Sequence, residues 1–468
     1  MPSTTETVRW GRLPNRKTSV VATIASGETI TIDTISHEGI LEDQGKNPVS
    51  YFGQYGIKPE AVLKDAAAIA ASSLPHDFDK DGPHIVTGPI AVEGAMPGDV
   101  LKVEVLALAP RVPYGVISNR HYKGALPGEF PEGTVRDKNA TPAHPEKYGN
   151  VSIFAPIRKI GDKWYGFLAQ ENGKEIRFPL SPFVGIMGVA PDSDESWSSV
   201  PPARIGGNID INELGVGSTL YLPVEVEGAK FYAGDPHFVQ GDGEVALTAL
   251  EGSLRATFRL TVLKKGSVAV PKSHADNLVK PFAETEKYWI PIGLNEDLDE
   301  AMKDAVRESV SFLAKQLGLD RRVAYAYLSA AADYEVSQVV DKTKGIHALV
   351  PKIDFADWLK LELRAGGKTL PVFAKEDGFY VAAKPVFAAL GLRYAEKGKA
   401  LTVSLPGKTV DMSIDSNAYQ HGETVIRLDM SPLHGKEGVL LPVKALCEVF
   451  GVGLNWSTEG TRLVGVAQ

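Results

Sequence analysis

The stretch Pro97-Gly-Asp-Val-Leu-Lys-Val-Glu-Val-Leu106 decides the fold class of this chain. Its Pro-Gly-Asp turn is followed by valines and leucines that mostly alternate with Lys102 and Glu104. A period of two residues predicts a strand with one apolar face. Residues 220–226 repeat the pattern, and residues 244–262 form a longer run of strand character. We therefore predict a mostly β fold with an antiparallel β-sandwich or barrel core.

The hydrophobic period changes after Asn295, which we predict to be the N-cap of an amphipathic helix. Acidic residues in the following turn suit the positive end of a helix dipole. A second helix is expected over residues 321–332, so the helical segment covers about 297–332. The predicted apolar face of the first helix has spacings of three and four, and comprises Leu298, Met302, Ala305, Val306, Val310, Leu313 and Leu317.

The last hundred residues contain two similar units. Residues 380–391 can be laid over residues 440–451, so that Gly391 matches Gly451. Each copy is typical of a strand and a short helix that ends at a glycine. Two copies are too few for a solenoid, so we expect one small α+β domain. The Gly-Gly pair near residue 365 marks the predicted boundary between domains 1–364 and 365–468.

Composition excludes several classes of protein. The 468 residues carry 50 Lys and Arg against 58 Asp and Glu, a formal net charge of −8. A nucleic-acid binder needs a basic face to neutralise phosphates, so nucleic acid is not an expected partner. The single cysteine, Cys447, rules out internal disulfides and is expected in a helix core. No apolar run is long enough for a membrane span, and residues 1–17 lack a secretory apolar region. We expect a cytoplasmic protein with no membrane partner.

The segment from Gly234 to Glu244 contains the strongest candidates for chemistry. Asp235 and His237 lie two residues apart, so in an extended chain their side chains share a face and could reach one ion. Gly241 and Gly243 allow a tight turn that presents Glu244. Imidazole and carboxylate ligands suit a catalytic Zn²⁺, which lowers the pKa of bound water. The alternative interpretation is a simple turn in which Asp235 is a cap.

Four other segments contain residues that could take part in catalysis or binding. His37 and Glu38 follow a predicted strand, His84 precedes another, and His121 ends an Asn-Arg-His stretch. Residues 188–210 are dense in glycine and proline, and they form either a surface loop or a loop that lines a pocket and contributes Asp210. The other histidines, among them His274 and His347, are expected in loops or in structural positions.

These segments together resemble the acetamidase/formamidase family over residues 1 to about 355. The resemblance rests on residues 87–99, 185–191, 201–210 (PPARIGGNID) and 234–244 (GDPHFVQGDGE). It implies hydrolysis of a small carboxamide such as formamide or acetamide to a carboxylate and ammonia. It also implies a mostly β fold with a helical insertion, a homo-oligomer, and a divalent metal ion, with zinc as the expected one.

The resemblance also assigns roles to individual residues. Glu244 would move the proton, although it could equally be a ligand, and His37 and Glu38 are further catalytic candidates. His37, Glu38 and His121 could also mark a subgroup with a different amide substrate. The expected metal ligands are His84, Asp210, Asp235 and His237, and the expected substrate contacts are His121, Asn208 and Gly241.

Residues of about 366–468 resemble the copper amine oxidase N-terminal-like (stalk) domain, which carries no copper. The resemblance rests on the paired strand–helix–glycine units and on residues 454–456 (LNW). It implies a packing or oligomerisation module. Two alternatives to an amidase stay open: a non-catalytic binding protein that uses this module, and a lactam or other C–N hydrolase with the same site.

Overall fold

The computed structural model describes residues 1–272 and 277–467, so His274 lies outside the described residues. The chain is mostly β, with 41% of its residues in strands and 16% in helices. The prediction of antiparallel sheets with a few helices is confirmed, although none of the sheets formed by the described residues closes into a barrel. The chain divides into two compact units, residues 1–283 with 290–350, and residues 284–289 with 351–468.

Among the described residues, nineteen strands precede residue 352. They are β1 (Val8–Trp10), β2 (Ala22–Ile24), β3 (Thr29–Asp33), β4 (Ile85–Val92), β5 (Val100–Pro110), β6 (Tyr114–Asn119), β7 (Val151–Ile160), β8 (Lys163–Ala169), β9 (Glu175–Pro179), β10 (Phe183–Gly188), β11 (Gly206–Asn208), β12 (Thr219–Pro223), β13 (Phe231–Val239), β14 (Leu250–Glu251), β15 (Leu254–Leu263), β16 (Phe282–Glu284), β17 (Tyr288–Asn295), β18 (Asp333–Gln338) and β19 (Lys344–Pro351).

Two sheets organise these strands. The larger has the order β1-β4-β13-β14-β6-β7-β8-β9, with β10 and β11 joined to it through β13 and with β2 parallel to β4. The other has the order β18-β19-β17-β16-β12-β5-β15-β3. Residues 100–106, from the stretch that decides the fold class, begin strand β5. This strand pairs antiparallel with β12 and β15. Strand β13 pairs with β4, β10 and β14, so eight of its nine residues are buried.

The helices before residue 352 are short except for the predicted pair. They are α1 (Pro48–Gly53), α2 (Lys64–Ala70), α3 (Leu298–Leu317) and α4 (Arg321–Ala331). The N-cap prediction is wrong by two residues, because Asp297 caps α3 by accepting a hydrogen bond from the Glu300 N–H. Asn295 instead accepts from the Asp297 N–H. No described helix is both long and apolar enough to cross a bilayer.

The apolar face of α3 also differs from the prediction at its first turns. Leu298 and Met302 are exposed, whereas Ala301 and Ala305 are fully buried. The reason is close packing on β17, where a Cβ added at Gly293 would lie 2.1 Å from the Ala301 carbonyl oxygen. Only small side chains fit at that approach, so the buried face is rotated toward the alanines.

The second unit carries its own two sheets. Its strands are β20 (Lys360–Ala365), β21 (Lys368–Lys375), β22 (Gly378–Ala382), β23 (Arg393–Lys397), β24 (Ala400–Leu405), β25 (Lys408–Ser413), β26 (Ala418–His421), β27 (Thr424–Arg427), β28 (Leu433–Gly435), β29 (Gly438–Pro442), β30 (Leu454–Glu459) and β31 (Arg462–Ala467), and its helices are α5 (Ala383–Ala389) and α6 (Val443–Glu448).

Strands β28-β29-β22-β21-β20-β31-β30 form one sheet and β23 to β27 the other. Both predicted strand–helix–glycine units are present, as β22-α5-Gly391 and β29-α6-Gly451, and both glycines have a positive φ. Cys447 lies in α6, where burial raises the pKa of its thiol to about 12. Strand β20 pairs with β21 and β31, so this unit begins before the boundary predicted at 365. The division into domains at that residue stays a prediction.

A buried ion pair links distant parts of the second unit. The Lys352 ammonium donates to a Glu284 carboxylate oxygen at 2.6 Å, and both side chains are fully buried. The same carboxylate accepts hydrogen bonds from the backbone N–H and the hydroxyl of Thr458. The short segment 284–289 is therefore tied to residues near both ends of the segment 351–468.

Candidate active site

Asp235 and His237 meet on one face of the buried strand β13. A carboxylate oxygen of Asp235 lies 2.9 Å from Nε2 of His237, and both side chains are almost completely buried. Glu251, on the neighbouring strand β14, is the register partner of His237 and comes within 3.1 Å of the same nitrogen. The i, i+2 spacing and the strand pairing thus gather two acids around one imidazole.

Asp210 joins this pair through a glycine. Gly185, on β10, has no side chain to separate the groups, and a Cβ there would lie 2.3 Å from Asp210 Oδ1 and 2.8 Å from Asp235 Oδ2. The Asp210 backbone N–H is 3.4 Å from the Gly185 carbonyl oxygen. The glycine therefore creates the space in which the Asp210 and Asp235 carboxylates approach His237.

His84 and His37 approach Asp235 from other segments. Nε2 of His84 lies 3.7 Å from Asp235 Oδ1, and its Nδ1 hydrogen-bonds the Ser199 hydroxyl at 2.8 Å, which fixes the ring. Nδ1 of His37 lies 3.6 Å from the same Asp235 oxygen, while its Nε2 lies 3.2 Å from Glu38. Burial opposes the charged form of His37, but Asp235 and Glu38 outweigh it and raise its pKa to about 10.

Glu38 is held rigidly behind His37. Its carboxylate accepts hydrogen bonds from the Ser118 hydroxyl at 2.7 Å, from Arg120 at 3.1 Å, and from the side-chain amide of Gln44. Arg120 also donates to Asp43 at 2.8 Å, so one buried guanidinium serves two buried acids. Burial alone would raise the pKa of Glu38, but Arg120 and His37 lower it to about 2. Glu38 is therefore a fixed negative charge that orients His37.

Glu244 and Asp341 complete the acidic side of the site. The turn that starts at Gly241 brings Glu244 inward, where a carboxylate oxygen accepts a hydrogen bond from the Ala249 N–H at 2.9 Å. Oxygens of Glu244, Asp341 and Asp210 lie within 4.8 Å of one another. Burial first, and then the neighbouring carboxylates, raise the pKa of Glu244 and Asp341 well above their ordinary values.

The backbone is strained at three of these acids. Asp210, Asp235 and Glu244 have φ values of 47°, 51° and 47°, in the left-handed region that residues with side chains seldom adopt. Such conformations cost about 1–3 kcal/mol each and persist only where the surrounding structure enforces them. The fold therefore stabilises an arrangement of carboxylates that the local backbone disfavours, which is typical of functional sites.

The donor atoms of the site have the chemistry of a metal centre. Neither oxygen of Asp210, neither nitrogen of His237 and neither nitrogen of His37 has a well-formed hydrogen bond to the described residues. Buried polar atoms without partners cost free energy unless a ligand or ion satisfies them. Two sets of three donors lie within 4.8 Å of one another and share Asp235: one with Asp210 and His237, the other with His37 and His84. The residues present fit a divalent ion.

A cavity of about 400 Å³ opens above these groups. Of the residues that the sequence predicted as site residues, His37, His84, Asn208, Asp235 and Glu244 line it. Asp210 and His237 lie beside Asp235, and Glu38 lies behind His37. The described lining does not include His121, which contacts Thr134, or Gly241.

Three residues of the site were not identified from the sequence. Glu251 stands in a run of strand character, Asp341 follows β18, and Ser199 is one of several serines in a loop. None of them belongs to a spacing motif, and strand pairing and loop packing bring them to the site. The only sequence signal for Glu251 was its charge within an otherwise apolar stretch. That stretch is buried in the structure, and Glu251 is buried with it.

A further acid–imidazole group lies outside the cavity lining. Nε2 of His347 is 3.0 Å from Glu213 and 3.4 Å from Glu335, and Nδ1 hydrogen-bonds the Ser337 hydroxyl at 2.8 Å. The His347 ring is fully buried. Burial opposes its charge, but Glu213 and Glu335 raise its pKa to about 9. His347 lies in strand β19, as its strand-like segment predicted, and its structural role stays a prediction.

Family models match both parts of the chain. The model of the Acetamidase/Formamidase family matches residues 75–197 and 192–355, and that of the Copper amine oxidase N-terminal domain matches residues 367–464.

Individual relatives agree with the first match. An acetamidase of Mycolicibacterium smegmatis is 30% identical over 208 residues, which cover 36% of this chain and 50% of that protein. A formamidase of Methylophilus methylotrophus is 28% identical over 309 residues, which cover 57% of this chain and 75% of that protein. This chain thus spans about half the length of the first relative. A crystal structure of an acetamidase from Bacillus halodurans has a TM-score of 0.56 and 25% identity, covering 76% of this chain and 99% of that one.

Proposed function

Because this chain belongs to the acetamidase/formamidase family, we propose that it hydrolyses a small linear carboxamide, of the formamide or acetamide type, to a carboxylate and ammonia. The observation that carries the proposal is the convergence on Asp235. Side chains from segments near residues 37, 84, 210 and 237 surround its carboxylate within a buried site below a cavity. Buried carboxylates and imidazoles without partners cost free energy unless a ligand or an ion satisfies them.

The proposed metal ligands are His84, Asp210, Asp235 and His237, with zinc as the expected ion. The unsatisfied atoms of Asp210 and His237 support this assignment. An ion bound there would lower the pKa of a coordinated water and polarise the amide carbonyl. Ser199 fixes the ring of His84 so that Nε2 faces Asp235, as is usual for ligating histidines.

Side chains of this protein would transfer protons to and from the reacting amide and hold it in place. We assign to Glu244 the removal of the proton from the attacking water, because it lines the cavity and lies close to Asp210. His37, oriented by Glu38, lies on the other side of Asp235 and would deliver a proton to the leaving nitrogen. Asn208 lines the cavity and would hydrogen-bond the substrate amide.

Ammonia release tests the proposal directly. Purified protein is assayed with formamide, acetamide, longer linear amides and a cyclic amide, before chelation, after chelation, and after zinc is restored. We expect linear amides to be hydrolysed, activity to be lost with the metal, and zinc to restore it. Inertness toward every small amide with metal present would contradict the proposal, and turnover of the cyclic amide alone would favour a lactamase.

Two variants test whether the site, and not an aspartate elsewhere in the protein, is needed for metal binding and activity. Asp235→Asn removes the carboxylate shared by both donor sets, so elemental analysis should find less bound metal and the assay should find at least about a hundredfold less activity. The matched control Asp192→Asn changes an exposed aspartate outside this cavity, and its metal content and activity should stay at the wild-type level.

The homo-oligomer and the packing role of the second unit also stay predictions. They come from the resemblance and from the match to the copper amine oxidase N-terminal domain over residues 367–464. Light scattering of the full chain measures the mass in solution. A mass of a single chain at assay concentration would contradict the predicted oligomer.

A further inference from the structure

Two lysines of the cavity wall have side chains without a partner in the part of the chain that the structure describes. Lys123 and Lys342 both line the cavity. Neither ammonium forms an ion pair or a side-chain hydrogen bond with residues 1–272 or 277–467. An unpaired ammonium at the wall of a concave site is free to bind an anion that enters it.

The other charged groups at the wall are already held by neighbours. The Lys344 ammonium donates to the Glu296 carbonyl oxygen at 2.6 Å, and the rest form ion pairs. The pairs are Arg120 with Glu38 and Asp43, Asp81 with Arg12, Asp79 with Arg136, and Lys80 with Asp77. Of the charged wall residues outside the acid–imidazole cluster, Lys123 and Lys342 are therefore the two whose charged groups have no partner among the described residues.

The two ammonium groups lie near each other and near the site. The charge of Lys342 acts on Lys123, and the charge of Lys123 acts on His84. Burial by the cavity wall lowers the pKa of Lys123, and the positive charges of Arg120 and Lys342 lower it further. An anion bound between Lys123 and Lys342 would relieve this repulsion while its other end reached toward His84.

The cavity is also larger than the simplest amides require. Its volume of about 400 Å³ lies in the range of pockets that enclose whole metabolite-sized ligands. Formamide or acetamide would occupy only a small part of it. Apolar wall residues, among them Leu41, Phe78 and Val340, suit a short carbon chain between two polar ends.

We propose that the substrate of this site is an aliphatic amide that also carries a carboxylate, which Lys123 and Lys342 bind while the amide lies against the acid–imidazole cluster. This inference rests on the proposed function. One water adds to the amide carbonyl carbon, the C–N bond breaks, and the nitrogen leaves as ammonia with a proton from the site. The product is a dicarboxylate, and no oxidant or further reactant is needed.

The first experiment compares amides of matched length. Succinamate and glutaramate are assayed against butyramide and valeramide, which lack the second carboxylate, with kcat/KM from ammonia release. We expect the anionic amides to be preferred by at least about tenfold, since charge-assisted hydrogen bonds are the stronger ones. The preference should fall as salt rises, because salt screens the attraction between the lysines and the substrate carboxylate.

The second experiment removes the charges from the wall. Lys123→Gln and Lys342→Gln should each lower kcat/KM for succinamate about tenfold, mainly through KM, and leave butyramide within about twofold. The matched control Lys58→Gln changes an exposed lysine outside the cavity lining and should alter neither substrate.

The outcomes separate this inference from the proposed function. Hydrolysis of neutral amides without preference for anionic ones overturns the inference and leaves the amidase proposal intact. An equal loss for both substrates in the lysine variants also overturns it, because that result indicates a general structural role. Absence of ammonia from every amide overturns the proposed function and this inference with it.

Discussion

At the scale of single residues, Gly185 decides how closely the site can assemble. The missing side chain is what allows the Asp210 and Asp235 carboxylates to lie together beside His237. The chemistry of the site thus depends on a residue that has no functional group. A sequence motif that contains this glycine is informative for that steric reason.

Gly185→Ala tests this steric role. The added Cβ would lie 2.3 Å from Asp210 and 2.8 Å from Asp235, both much shorter than van der Waals contact, so the carboxylates must move apart. We expect metal content and amidase activity to fall at least about tenfold while circular dichroism shows a folded protein. Gly53→Ala is the control, since a Cβ there meets no atom within 4 Å. Unchanged metal content in Gly185→Ala would contradict this explanation.

Arg120 is the second residue whose replacement makes a clear prediction. Arg120→Met leaves Glu38 and Asp43 buried without their guanidinium, and breaking such buried pairs costs about 3–5 kcal/mol. Urea unfolding should show this loss. The control Arg204→Met removes an arginine that is half exposed and bound to Glu225, and should cost at most about 1 kcal/mol. Equal losses in the two variants would show that burial of the Arg120 pairs is energetically unimportant.

Residue-level prediction from the sequence succeeded where chemistry is local. Asp235 and His237 could be paired because two-residue spacing on a strand fixes their common face. Glu251 could not, because its closeness to His237 depends on which strand lies beside β13 and in which register. Whether His37, Glu244 and the four proposed ligands act as assigned stays a prediction for the assays above.

At the scale of secondary-structure elements, strands β18 and β19 share a charged cluster. Glu335 and His347 are register partners on these two strands, and Glu213 reaches the same imidazole from a loop. The attraction between the charged His347 imidazole and the carboxylate of Glu335 therefore stabilises the pairing of β18 with β19.

This cluster predicts a pH-dependent stability. The pKa of His347 is about 9 in the folded chain and about 6.5 when unfolded, so the charged form stabilises the fold below pH 6.5. This contribution disappears as the pH rises toward 9. The difference in unfolding free energy between wild type and His347→Gln should shrink by roughly 2–3 kcal/mol over that interval. The exposed His144→Gln is the control, and a difference for His347→Gln that stays constant with pH would contradict the assignment.

Elements were predictable from periodicity, but their ends and faces were less so. The two-residue period located β5, and the helical period located α3 and α4. The N-cap could not be placed, because both Asn295 and Asp297 can accept a backbone hydrogen bond and only the path of the chain decides between them. The buried face of α3 follows from close packing at Gly293, which periodicity does not register.

At the scale of the whole molecule, the second unit is built from two separate stretches of chain. Residues 284–289 interrupt the first unit in sequence but belong to the second. Glu284 neutralises the buried Lys352 and also holds Thr458. Periodicity marked a change of character near residue 365, but a contribution from residues so far upstream leaves no trace in local pattern.

Full-length variants test how far the second unit depends on Glu284. Glu284→Gln leaves the Lys352 ammonium buried without its counter-charge, so urea unfolding should show a loss of about 3–5 kcal/mol. Adding Lys352→Met should restore much of it, because two neutral groups replace one buried charge. As a control, Arg364→Gln disrupts a more exposed pair with Glu459 and should cost at most about 1 kcal/mol. A double variant less stable than Glu284→Gln alone would contradict this account.

The shared carboxylate of Glu284 also has a consequence for biosynthesis. During translation Glu284 is made 174 residues before Thr458, to which it must finally bind. This part of the second unit can close only after residue 458 has left the ribosome, and a product terminated before that residue would keep the Glu284 carboxylate without its Thr458 partner.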